Sequence, residues 1–64
     1  MLSKNLNDLA DYLKDNRVES DMTVGICLLC KEDNKAKKLL EYCKSNPNLE
    51  DYEILQKAVE ISDN

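Results

Sequence analysis

Cys27 and Cys30 stand in the order Cys-Leu-Leu-Cys, a spacing at which two sulfurs one helical turn apart can close a reversible disulfide. Redox enzymes exploit it when a helix N-terminus stabilises the attacking thiolate and a βαβ scaffold of about 100 residues holds the pair. This chain has 64 residues, both intervening positions are leucine, and the pair falls late in its helix. Core packing is the preferred reading, because free cysteine is among the most buried residue types. Cys43 could join as a third metal ligand. Structural zinc takes four Cys or His ligands, whereas the chain holds three Cys and no His. A thiol or metal site at Cys27, Cys30 and Cys43 is therefore an alternative, not the leading expectation, and no cofactor is expected.

Lys31, Lys35 and Lys38 share one face of a helical projection. From Lys31 to Lys44, five Lys oppose three acids (+2), while residues 45–64 carry one Lys against five acids (−4). A third helix of this kind could lie in a DNA groove with its lysines on phosphates. Base reading prefers Arg, Asn and Gln, yet the single Arg is Arg17, outside this segment. The net charge of −4 also disfavours general affinity for nucleic acid. The lysine face is kept as a second functional class.

No nucleophile–base pair can be assembled. His is absent, and Ser3, Ser20, Ser45 and Ser62 fall at helix caps or ends. Gly25 is the only glycine, so no phosphate-cradling loop exists. A non-enzymatic protein is expected.

Four helical segments must position these residues. One Gly, one Pro, ten Leu and no Phe or Trp make a helix-former's composition. Leu2, Leu6, Leu9 and Leu13 form an apolar seam that predicts a helix over 4–15, with Ser3 as its N-cap and Asp15-Asn16 as its exit. Val18 is expected to tuck under the core. Met22 to Cys30 is a run of nine residues without a charge, which predicts a helix over 22–31 capped by Ser20 or Asp21. Wound as a helix it is apolar nearly all round, so it should be buried on every side, by this chain or by another copy. Gly25 inside it costs about 1 kcal/mol against Ala. That cost is explained by a close helix crossing or by a later helix start.

Ala36, Leu39, Leu40 and Cys43 predict a third helix over 34–45 capped by Asp33; one continuous helix over 22–45 is the second choice. Asn46-Pro47 ends it, since proline drives the preceding residue out of the helical region. Ile54, Leu55, Ala58 and Val59, flanked by Tyr52 and Ile61, predict a fourth helix over 50–61 capped by Asn48.

The expected fold is all-α, a compact bundle of four short helices in one domain over residues 1–64. A chain of this size buries only about 60% of the surface it exposes when unfolded, and its stability should be a few kcal/mol. No basic segment followed by an apolar stretch opens the chain, so no secretion signal is expected. The Val24–Cys30 run is far short of the roughly 20 residues that span a bilayer. A cytoplasmic location with free thiols follows as the default for three cysteines. The preferred function is a small interaction module that binds another protein of unspecified identity, with a homodimer as one form. Its contact surface is placed at Met22, Gly25, Ile26 and Leu29.

Overall fold

The computed structural model describes residues 3–63. Its four helices are α1 (Lys4–Asp15), α2 (Ser20–Leu29), α3 (Asp33–Ser45) and α4 (Asp51–Asp63). The all-α bundle expected from periodicity is the fold that forms.

Ser3 starts α1 as expected: its Oγ accepts the Leu6 N–H at 3.1 Å, satisfying one of the unpaired donors at the helix start. Leu6, Leu9 and Leu13 are buried along one stripe, while Leu2 lies outside the described residues. The helix closes in a Schellman turn. Arg17 adopts φ 60°, the Arg17 N–H donates to the Lys14 carbonyl, and the Val18 N–H donates to the Leu13 carbonyl, both at 3.0 Å. This turn folds Val18 back under the core, where only 7% of it is exposed.

Chain direction after that turn places α2 earlier than the apolar run suggests. It covers Ser20–Leu29, two residues ahead of the expected 22–31 at both ends. The N-cap is Glu19, whose carbonyl accepts the Thr23 N–H at 2.8 Å without any side-chain bond. Ser20 and Asp21 therefore lie within the first turn and do not cap it, and the later start considered for Gly25 does not occur. Cys30 leaves helical geometry at φ −112° and ψ 37°, so α2 and α3 are separate helices. The break falls over Cys30–Glu32, before the Asp33-Asn34 pair where a bend was expected. Glu32 takes the N-cap position of α3, and Asp33 joins its first turn.

Along α3, Ala36, Leu39, Leu40 and Cys43 are all buried, the face read from their spacing. Asn46 ends the helix at φ −133° and ψ 71°, in the extended side of the map that Pro47 imposes. Asn48 does not cap α4. Instead the Glu50 N–H donates to Glu53 Oε1 at 2.9 Å, and the Glu50 carbonyl accepts the Ile54 N–H at 3.2 Å. This is the back-reaching half of a capping box. The buried stripe of α4 is Ile54, Ala58 and Ile61. Leu55 packs at its edge, while Val59 and Tyr52 face solvent.

The main packing sets α1 on α2 and α3, and α4 on α2 and α3. The helices thus run round the bundle in the order α1, α2, α4, α3. Leu9, Leu13, Ile26, Cys30, Leu39 and Cys43 fill the centre. No described side-chain polar atom is buried without a partner.

Candidate functional site

The nine-residue apolar run is not enclosed by its own chain. Met22, Ile26 and Leu29 recur at four and three residues and form the inward stripe, with Ile26 0% exposed. Half a turn away, Val24 is 58% and Leu28 67% exposed. These two are flanked by Asp21 on the same stripe and by Lys31 just past the end of α2, both exposed. A side chain that takes part in the core cannot also form a free surface, which removes Ile26 from the expected contact set. Met22 and Leu29 are half-buried against the core. Gly25 is half-buried, and a Cβ added there would meet nothing within 4 Å, so no helix of this chain crosses closely at that point.

Val24 and Leu28 form one wall of a groove between α1 and α2. Leu6, Ala10, Thr23, Cys27 and Lys31 complete its lining, and its volume is about 440 Å³. Its surface is almost wholly apolar. A smaller neighbouring cavity of about 150 Å³ shares Thr23 and Val24 and is also lined by Lys14, Val18 and Ser20. Lys14 lines the smaller cavity and Lys31 the larger, with Thr23 and Val24 common to both.

The local causes of this opening are in the packing order. α2 touches α1 on one side and α4 on the other, and α3 lies diagonally across the bundle. A helix held by two neighbours keeps one face free. On α1 the half-buried Ala10, beside the channel floor at Leu6, leaves the room that a larger side chain would fill.

All three thiols are shifted toward the protonated form. Burial raises the Cys27 thiol above its ordinary value. Cys30 is raised by burial first and then by Cys27, and its Sγ points at the Ala58 carbonyl at 3.8 Å. Cys43 is pushed up to about 11 by burial and by Cys30. Reactive or metal-binding cysteines need the opposite shift, toward thiolate. Cys27, Cys30 and Cys43 also fail to assemble with a further ligand: among the described residues no three His, Cys, Asp or Glu side chains are grouped to hold a metal.

The lysines are dispersed as well. Lys31 precedes α3 and belongs to the groove. Lys35 Nζ donates to the Ser62 carbonyl at 3.1 Å and lies 4.0 Å from Glu32, tying α3 to the end of α4. Lys38 alone of the three is an exposed side chain on α3. Lys31, Lys35 and Lys38, the alternative lysine face, thus do not share one helix, because Lys31 lies before the start of α3.

At the other end of the bundle, a crevice of about 130 Å³ lies among Tyr12, Cys43, Asn46 and Leu49. The Tyr12 hydroxyl donates to the Cys43 carbonyl at 3.1 Å, and burial raises its pKa. The tyrosine is a structural clasp between α1 and α3.

No described helix is long and apolar enough to cross a membrane. Comparison with protein-family models, curated proteins and solved structures finds no match to this chain. The groove must speak for itself.

Val24, Leu28 and Thr23 escaped the reading from sequence, and Cys27 and Lys31 were read in other roles, because α2 carries no polar residue in its middle to mark an outer face. One signal was present. Asp21 and Lys31, the charges bracketing the apolar run, lie at helical spacing with Val24 and Leu28 and so mark the solvent side.

Proposed function

We propose that this chain is a non-enzymatic interaction module that takes an apolar helix of a protein partner into the α1–α2 groove. The observation that carries this is the exposure of Val24 and Leu28 side by side over an apolar channel. Fully burying such side chains is worth about 1.5–3 kcal/mol each. Leaving both in water is a standing cost in a chain that stabilises its fold by only a few kcal/mol. A helix laid on them recovers that free energy, the helix-in-groove mode of recognition. Area of this size supports a weak, exchangeable contact, since association must first offset lost rotational and translational freedom.

A protein partner is better supported than nucleic acid. The channel is apolar, and Lys35 is engaged within the fold. Three free thiols, two of them in the core, support a reducing, cytoplasmic setting for the module.

The test compares Leu28→Glu with Val59→Glu, a substitution at an exposed residue of α4 outside the groove lining. Both side chains are exposed, so thermal melts should stay within about 0.5 kcal/mol of the parent. A photo-crosslinking residue placed at Lys31 should capture protein from the native cell in the parent and in Val59→Glu, and lose it in Leu28→Glu. Equal capture by all three would defeat the groove as a binding site.

A further inference from the structure

We propose that the helix occupying the groove is α2 of a second copy of this chain, packed antiparallel about a two-fold axis level with Ile26. This rests on the reading of the groove as a protein-binding site. The stripe Asp21, Val24 and Leu28 of α2 has spacings of three and four, the seam of a helix that packs on another helix, and Lys31, two residues past the end of α2, continues it at the edge of the groove. It is exposed along its whole length. Its order is acid, apolar, apolar, base.

Turned end for end about its midpoint, this stripe is complementary to itself. Val24 meets Leu28 of the second copy, and Leu28 meets its Val24. Asp21 meets the second Lys31, and Lys31 the second Asp21. A parallel arrangement would instead set Asp21 on Asp21 and Lys31 on Lys31, so charge selects the antiparallel one. Among the described residues, neither Asp21 nor Lys31 has an ion pair: the pairs there are Lys35–Glu32 and Lys57–Glu60. Both charges are available to a second copy.

The two flanks of the stripe agree with this packing. Gly25 lies on one flank with open space where its Cβ would be. In the antiparallel pair it falls beside the other Gly25, so the two backbones approach without side chains between them. Cys27 lies on the opposite flank, in the groove wall, and falls beside the other Cys27. A two-fold axis also gives a contact that closes at two copies and leaves no second exposed stripe.

The test is a charge-reversal mixing experiment read by sedimentation equilibrium from micromolar to millimolar protein. The parent should show a reversible dimer. Asp21→Lys alone sets four cations at the seam and Lys31→Asp alone sets four anions. Each should weaken self-association by about tenfold. An equimolar mixture of the two single variants should form a heterodimer as tight as the parent, because every facing pair is again opposite in sign. The double variant should dimerise like the parent. Because the mixture contains the same two chains, loss of folding in either one would show as failure of the mixture and is checked by circular dichroism. A short bis-maleimide should crosslink the parent dimer and leave Cys27→Ser uncrosslinked.

A parent that stays monomeric at millimolar concentration overturns the proposal. So does a mixture no tighter than its components when both are folded. If such a monomer still loses capture of another protein on Leu28→Glu, self-pairing alone fails and the groove reading stands. If Leu28→Glu changes neither, both fail together.

Discussion

Asn5 Nδ2 donates to Asp33 Oδ2 at 2.8 Å, and the Asn5 backbone N–H reaches Asp33 Oδ1 at 3.4 Å. One carboxylate from the first turn of α3 thus satisfies a donor at the start of α1, in addition to the Ser3 cap on the next turn. The two helix starts sit together, and Asp33 places its negative charge between the positive ends of two helix dipoles. Hydrogen bonds from Asn5 and Ser3 hold the Asp33 carboxyl below its ordinary value of 3.8.

The sign of the pH dependence follows. A carboxyl whose folded pKa is lowered adds stability above its unfolded value, and that stability is lost as pH falls through the lowered one. The melting temperature should therefore drop on acidification below about pH 4. Asp33→Asn should flatten that drop and reduce the melting temperature at neutral pH. Thermal melts from pH 2 to 7 on both proteins check this; parallel curves would remove Asp33 from the acid response.

Arg17 pays for its place at the end of α1 with a left-handed backbone, φ 60°. Glycine adopts that region without the Cβ clash, which costs other residues about 1–2 kcal/mol at such a position. Arg17→Gly should raise stability by roughly 1 kcal/mol, or about 4–8 °C in a domain of this size. Urea and thermal unfolding measure it. A loss of stability would mean that the exposed arginine side chain contributes more than its backbone costs.

The three thiols should separate by accessibility. Cys27 is half-buried in the groove wall, while Cys30 and Cys43 are in the core. Maleimide labelling of the folded protein at neutral pH should stop at Cys27 and proceed slowly, because a raised pKa leaves little thiolate. Cys30 and Cys43 should label only in denaturant. Mass spectrometry after timed labelling checks this, and fast modification of Cys43 in the native state would contradict its burial.

Residues with a polar neighbour on the helix wheel were legible from sequence. The α1 seam at Leu6, Leu9 and Leu13 is bordered by Asn7, Asp8 and Asp11, so its phase was unambiguous. The same holds for α3, where lysines border Ala36, Leu39 and Leu40. In α2 the wheel has no such border. Met22, Ile26 and Leu29 compete with Val24 and Leu28 on equal hydrophobic terms, and the neighbouring helices decide which set turns inward. On α4 the choice of Ile61 over Val59 has a related origin: both sit next to the same stripe, and the interface with α2 and α3 takes the one a full turn beyond Ala58. The bond from Asp33 to Asn5 spans 28 positions, so no local pattern announces it.

The groove draws every lining residue from the first half of the chain, Leu6 to Lys31. α3 and α4 enter the channel nowhere and serve as a buttress behind it. Such a division lets the two halves change under different rules. Outward side chains such as Lys37, Lys38, Glu41 and Gln56 are free to drift, since solvent is their environment. Alteration at Asp21, Val24, Leu28 or Lys31 changes the exposed rim of the groove and leaves the buttress and the core untouched. Under the proposed function, new binding specificities arise by few substitutions there, without a stability crisis in the scaffold that carries them.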